Sequence, residues 1–525
     1  MKITKKLILS VLIPLFVFPV FPMELIFKAL PTYNISLEEN FDNSFGATAG
    51  FDLNLFTVRS RDNIFLSLEG TASQIKASGI DSLWLFDGSF GLGYELRFLD
   101  RFSVSAEGNI GLWSVSEDEE QNFPAASGLS YGGRGYFNFY VLPEFSLSAF
   151  GGLKSYANSD SSFNKNIELG VALKYNFSRG LFGHTEIHTD EKETSSIFPV
   201  FFSYYADHSF GKVTFTNREP TDLTDVEVQV FIEEFMTKPN TAVKFERIKR
   251  GETFSADLLA FLDETILTNL TPKKTSASVI LKYKSLGKTK TYTESLELSA
   301  FGRNNMNWAD DKRAAAFVSG KDASAALFAR LVQATVRDEL SPSKNTNIQY
   351  AAALFGSLKA YGMNYVIDPS SAFTDNIGSD SVDFLQFPYQ TILYHGGDCD
   401  DLSILNCALF EAIGIETAFI TVPGHIYIAF DSGVSVKNAS SISDGMYIVQ
   451  DDKVWIPLEI TLCQDTFALE RQTGFREWKK YPNERALIPL KEAWAEYKPV
   501  SIPDSEVKIE LPRKEVILRE FKSAF

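Results

Sequence analysis

A chain of 525 residues, 45% of them hydrophobic, has room for roughly three to four domains and is too apolar to be disordered by default. Its net charge of −17, with no Lys/Arg cluster beyond the first six residues, argues against nucleic acid, because phosphate binding needs a concentrated basic face. Three cysteines are an odd number, so at least one thiol is unpaired within the chain.

The first element, "MKITKKLILSVLIPLFVFPVFP", has a basic head (Lys2, Lys5, Lys6) and an apolar core from Leu7 to Pro22. That core is short for a membrane helix and is interrupted by Pro14, Pro19 and Pro22, so residues 1–23 read as a secretory signal. No small-x-small cleavage motif and no lipobox cysteine follow it. The alternative reading is an uncleaved anchor.

From 24 to 178 apolar and polar residues alternate with period two. In "LWLFDGSFGLGYELRF" Trp84, Phe86, Phe90, Leu92, Tyr94, Leu96 and Phe98 oppose Asp87, Ser89, Glu95 and Arg97. "FSVSAEGNIGL" and "IELGVALKYNF" repeat the pattern, which is that of strands with one apolar face. Eight strands are expected, at about 25–37, 45–57, 64–75, 83–98, 102–115, 129–141, 145–157 and 167–177, the first weakened by Pro31. Connections after the second, fourth and sixth are short, and those after the odd strands are mostly longer and polar. An eight-stranded antiparallel β-barrel of the outer-membrane type has that asymmetry, with both ends of the barrel segment periplasmic. Alternation alone does not say which face looks inward. A soluble lipocalin-like barrel would bury the apolar face. A membrane barrel would fill its narrow lumen with the polar one, which mixes Glu69, Glu95, Arg97, Glu107, Arg134, Glu168 and Lys174. Aromatic residues near strand ends (Phe98, Phe102, Tyr175, Phe177) suit membrane interfaces, which favours lipid outside and a packed lumen without a pore.

Residues 179–207 lose the alternation and read as a linker. His184 and His188 beside acidic residues would share a helix face and bind metal only if a helix formed there, and no helix signal is present. Short strands return over 208–303 ("GKVTFTN", "VEVQVFIEEF", "SASVILKYKSLGKTKTYTESLELSAF"), separated by "NREPTD" and "TPKK". They predict a small immunoglobulin-like β-sandwich used for spacing or recognition.

In the third region, 304–500, "DASAALFARLVQATVRDEL" and "NIQYAAALFGSLKAYG" carry helical spacing. "GGDCDDLSILNCALFEAIGI" follows. Gly396 and Gly397 allow a tight turn, Asp398 is an N-cap, and Cys399 opens a helix whose N-terminal dipole favours a thiolate. Acidic residues in a first helical turn are stabilising, yet they repel a thiolate, so Cys399 needs a cationic partner. His425, at the start of the strand "HIYIAF", is the candidate, and Glu459 in "KVWIPLEIT" stands where it would orient the imidazole. A thiolate, an imidazolium and an orienting carboxylate are the set that acyl transfer at amides requires. Cys407 and Cys463 read as small buried hydrophobes. A metal site built from Cys399, its aspartates and His425 lacks a second Cys or His nearby.

These three stretches resemble the core of the transglutaminase-like superfamily, including its bacterial cysteine-peptidase branches. The likeness extends over about 308–500, with the motifs within 386–462. It implies an α+β, papain-like domain in which Cys399 is the nucleophile, His425 the general base and acid, and Glu459 the orienting acid. The family commonly has Asp at this last position, and Asp431 and Asp452 stay open as substitutes. The family often has an upstream polar residue that helps hold the oxyanion, a role open to Gln386, Gln390 or Tyr394, with the Cys399 amide as an alternative donor.

The whole chain is then expected to be a protein of the bacterial outer membrane, in contact with its lipid, with periplasmic C-terminal domains. Its chemistry would be cysteine-dependent acyl transfer or hydrolysis at amide bonds of a protein or peptide, cell-wall peptide included, with no cofactor and no metal. The alternative is a catalytically inactive transglutaminase-like fold serving as a binding or assembly module. Residues 501–525 read as a tail without an assigned role.

Overall fold

The computed structural model describes residues 24–59, 62–77, 80–117, 124–158, 161–367, 381–502 and 508–524. The expected signal, 1–23, lies outside them.

Eight long strands close on themselves: β1 (Glu24–Ser36), β2 (Ser44–Arg59), β3 (Asp62–Ala77), β4 (Ile80–Leu99), β5 (Phe102–Val115), β6 (Ala126–Leu142), β7 (Phe145–Asn158) and β8 (Ser161–Asn176). Each pairs antiparallel with the next, and β1 pairs with β8 from Ile26↔Asn176 to Ser36↔Asn166. That register skips Leu30 and Pro31, where the N–H that proline lacks would have served. The strands run further than the alternation suggests. The polar run "NSDSSFNKN", expected as a loop, belongs mostly to the β7–β8 ladder, with Tyr156↔Asn164 and Asn158↔Ser161 paired.

The polar face points inward. Lys28, wholly buried, pairs with Asp52 at 2.8 Å, Glu107 at 2.9 Å and also Glu69. Arg134 reaches Glu69 at 2.6 Å and Glu168 at 2.7 Å, and Lys154 reaches Asp87 at 2.9 Å. The opposite face, with Phe90, Leu92, Ile110 and Leu112, is exposed. A lipocalin-like barrel has these faces reversed, so the soluble alternative fails on orientation.

The next region differs from expectation at its start. Ile187–Thr194 (β9), inside the stretch read as a linker, pairs with Gly211–Asn217 (β10), which pairs with Thr253–Asp257 (β13). A four-stranded sheet completes the unit, ordered Asn240–Ile248 (β12), Leu223–Phe231 (β11), Lys273–Ser285 (β14) and Lys288–Ala300 (β15). The apolar faces of both sheets join one core cluster that includes Phe215, Val228 and Leu281. His188 stands 3.7 Å from Asp190 on β9, an exposed strand pair. This unit docks on the short-turn end of the barrel. Buried Arg179 links Glu24 of β1 to Glu186 at 3.0 Å and Glu219 at 3.1 Å, and Lys288 reaches Glu144 at 2.6 Å.

The C-terminal region is α+β. Helix α1 (Ala323–Val336) is capped by Asp322 and α2 (Thr346–Tyr361) by Asn345, and α2 is closed by Gly362 in the left-handed conformation, φ 89°. After α3 (Pro388–Tyr394) comes α4 (Cys399–Ala412), which packs on a five-stranded antiparallel sheet. The sheet order is Ile448–Gln450 (β18), Lys453–Leu458 (β19), His425–Asp431 (β17), Thr417–Val422 (β16) and Ala486–Pro489 (β20). Residues 501–525 are more than a tail. Lys514–Ser523 forms α5, whose Ile517 and Phe521 are buried against α2. Gly356 permits that contact, since a Cβ there would stand 2.8 Å from the Glu520 Cβ.

Candidate active site

The local fold around Cys399 follows from two small residues and one cap. Asp398 caps α4, its Oδ1 accepting the Asp401 amide at 3.3 Å. Gly396 and Gly397 were expected to make a turn, but neither has positive φ. The left-handed residue is His395, φ 56°. The glycines matter for close approach: a Cβ on Gly396 would stand 2.7 Å from the Asn364 carbonyl, and one on Gly397 2.4 Å from the Asp401 Cβ. The Gly pair therefore runs parallel to Asn364–Tyr365, which brings that segment beside the helix start.

Cys399, His425 and Glu459 converge from three elements. His425 opens its strand, and Glu459 follows the neighbouring strand Lys453–Leu458. His425 Nε2 lies 2.8 Å from Glu459 Oε2, and the Cys399 side chain acts on the same ring electrostatically. Glu459 is held in turn. Its Oε1 accepts from the Thr461 hydroxyl at 2.6 Å and the Thr461 amide at 3.3 Å, and its own amide donates to the Glu470 carbonyl at 3.2 Å. Burial pushes the His425 pKa down. Hydrogen bonds and charge from Cys399 and Glu459 outweigh it and hold the ring protonated up to about 10. That stable imidazolium is the cation a thiolate needs.

The aspartates beside Cys399 are the other half of the electrostatics. Asp398, Asp400 and Asp401 are all buried, with one oxygen of each within 4.8 Å of the others. Burial, followed by a hydrogen bond and charge from Asp398, raises Asp400 well above the carboxylate range. Burial and Asp398 push Asp401 up to about 8, against amide donation from Gln386 and Asp398. Near pH 7 the cluster therefore holds protons, and the repulsion expected from three carboxylates is largely removed.

The remaining sequence candidates separate. Asp431 lies at the far end of its strand, 3.3 Å from Lys453, and Asp452 sits in an exposed turn at φ 57°. Among the three carboxylates considered, Glu459 is the one on the ring. Gln386 is drawn to the helix start, its amide N–H donating to Asp401 Oδ1 at 2.7 Å. Its side-chain Oε1 is buried without a partner. Gln390 instead caps α3, its Oε1 accepting from the Phe387 amide at 2.9 Å and Asn304 Nδ2 at 2.7 Å. Tyr394 is mostly exposed. Tyr365 went unseen in the sequence and borders the site. Burial, then the charges at Cys399, Asp398 and Glu459, push its phenol up to about 12. The parallel pairing with Gly397, across 32 residues (397 − 365), places it there, and no local pattern signals such a contact. Cys407 is fully buried, and burial raises its thiol pKa.

No protein-family model matches the chain, and no curated protein matches it. Among solved structures the N-terminal barrel resembles outer-membrane barrels. Neisserial surface protein A is 11% identical, covering 30% of this chain and 98% of its own, at a TM-score of 0.25. The N-terminal β-barrel domain of Pseudomonas aeruginosa OprF is 9% identical, covering 29% and 97%, at 0.20. The attachment invasion locus protein Ail of Yersinia pestis is 14% identical, covering 29% and 97%, at 0.21.

Proposed function

We propose that this chain is an outer-membrane protein whose barrel anchors a periplasmic, transglutaminase-like domain that carries out cysteine-dependent acyl transfer at amide bonds. The immunoglobulin-like unit between them serves as a spacer. The anchor reading rests on the barrel's inverted faces: an apolar exterior is costly in water and is satisfied by lipid, while the ion pairs inside need no solvent.

The chemistry rests on one arrangement, the His425 ring held between Cys399 and Glu459. The Cys399 thiolate adds to an amide carbonyl, forming a C–S bond and an oxyanion. The Cys399 amide at the helix start and the Gln386 side chain are the donors available to that oxyanion. His425 gives its proton to the departing amine as the C–N bond breaks, which leaves a thioester. Water, deprotonated by the now neutral ring, then releases the acid and restores the thiol; an amine in its place gives transamidation. Hydrolysis is favoured where water is the abundant nucleophile. The substrates are proteins or peptides, cell-wall peptide among them.

One observation favours a second reading, a binding module that has lost activity: the Cys399 side chain is nearly enclosed, at 2% exposure. Alkylation separates the two. In the active reading iodoacetamide labels Cys399 of the folded protein well below the pH at which free thiols react, and Cys399→Ala removes that label. Labelling confined to alkaline pH, or to unfolded protein, means the domain only binds.

A further inference from the structure

Where the barrel meets the sandwich, the turn at Asp100 and Arg101 and the segment from Arg247 to Arg250 enclose an open cleft of about 520 Å³. Its lining holds five cations, Arg97, Arg101, Arg247, Lys249 and Arg250, against the carboxylates of Asp100 and Asp222. In a chain of net charge −17, this excess of three positive charges (five minus two) is local and opposes the overall trend.

Several of the cations are held by neutral partners that leave their charge uncancelled. Arg101 donates to the carbonyls of Tyr140 at 3.1 Å and Val141 at 3.0 Å, and to that of Leu286 at 3.3 Å. The Arg97 guanidinium lies 3.6 Å from the Tyr140 ring centroid. Arg247 pairs with Asp222 at 2.6 Å. Lys249 is exposed; Glu252 accepts from its backbone amide at 2.6 Å, and no carboxylate among the described residues pairs with its ammonium.

The rest of the lining is apolar and belongs to the barrel: Phe98, Leu99 and Phe102. Phe98 and Leu99 are 41% and 58% exposed. Phe98, Phe102 and Phe137 form an aromatic cluster with centroids 5.7–6.5 Å apart. One wall is thus suited to hydrocarbon and the other to an anion, and both meet at the rim of the barrel.

We propose that this cleft binds the phosphate headgroup of an anionic phospholipid in the leaflet facing the sandwich, its acyl chains lying along Phe98, Leu99 and Phe102. The proposal rests on the membrane reading of the barrel. A guanidinium presents a planar fork of N–H donors that matches phosphate oxygens, and basic pockets at a membrane interface recognise anionic headgroups by such donors. The net positive lining selects a lipid of net negative charge over a zwitterionic one. The apolar wall selects a lipid over a free anion.

The test uses full-length protein folded in detergent, with native mass spectrometry during titration of phosphatidylglycerol or phosphatidylcholine. Wild type should bind phosphatidylglycerol about tenfold or more in preference, and Arg247→Gln/Lys249→Gln should reduce that preference to near parity. Lys249→Glu alone should lower it in the same direction without removing the Arg247–Asp222 pair. Equal binding of the two lipids, no change in the variants, or displacement of phosphatidylglycerol by inorganic phosphate would each overturn the lipid site. Flotation with phosphatidylethanolamine/phosphatidylglycerol vesicles reads the underlying premise. Protein that does not float removes the membrane reading and the lipid site with it. Protein that floats but shows no headgroup preference removes the lipid site alone.

Discussion

The barrel and the C-terminal domain both bury carboxylates, and they neutralise them in different ways. In the lumen Asp52, Glu69, Glu107 and Glu168 are met by the nitrogens of Lys28 and Arg134. At the start of α4, Asp398, Asp400 and Asp401 are buried with no Lys or Arg in ion-pair contact among the described residues, and the available neutralisers are backbone amides and protons. Fixed cations make a set of charges permanent at any ordinary pH. Bound protons make it adjustable, and the adjustable set stands beside a sulfur and an imidazolium. The first arrangement holds a structure together. The second sets the charge standing beside the Cys399 sulfur.

The comparison breaks most easily in the lumen. Lys28→Met removes the cation shared by three carboxylates that have no water to turn to. Leaving buried charges unpaired typically costs about 3–5 kcal/mol. The expected outcome is a barrel that loses its heat-modifiable gel mobility at lower urea than wild type, with C-terminal unfolding unchanged. Should the variant resist urea equally, the lumen pairs do not carry the barrel's stability. A somewhat smaller effect is expected at the other site from His425→Gln. It keeps a polar side chain and removes the imidazolium, so alkylation of Cys399 by iodoacetamide near pH 7 should slow by about 100-fold. An unchanged rate would show that the helix terminus alone activates the thiol.

The two regions were also unequally legible in the sequence. Period two exposed the barrel because every lumen strand must alternate to serve two solvents at once. It could not tell inside from outside, which the pairing of Lys28 and Arg134 with carboxylates from four different strands decides. The β7–β8 connection reads as loop because its Asn164 and Asn166 are polar residues of the lumen. Ile187–Thr194 is hidden for the opposite reason: as an edge strand with most of its side chains exposed, "HTDEKET" carries no apolar period. At the candidate site the nearness of His425 and Glu459 follows from their place on paired strands, and residue type and order alone single out Cys399 at a helix start with an imidazole on the second strand after it. The choice of Glu459 over Asp431 and Asp452 needed the sheet register. Tyr365 and the true reason for Gly396 and Gly397 needed a contact between segments far apart in the chain.

The finest distinction between paired and protonated carboxylates is a pH slope, and Asp400 is the residue that measures it. Its folded-state pKa is raised, so above about pH 4 the folded chain holds a proton that the unfolded chain releases. Stability of the C-terminal domain then falls as pH rises, by at most about 1.4 kcal/mol per pH unit for each proton fully held, until the folded pKa is passed. Asp401 adds to this slope up to about pH 8. His425 adds to it between the free-imidazole value of 6.5 and about 10, because the stability its proton contributes is complete below that window and gone above it. Asn at 400 is neutral throughout and of the same size. Asp400→Asn should therefore match wild type near pH 4 and gain on it as the pH rises from there, read as the urea midpoint of the C-terminal transition. Parallel curves for the two proteins would mean that Asp400 ionises in the folded state, and that the thiol at Cys399 works against a full negative charge beside it.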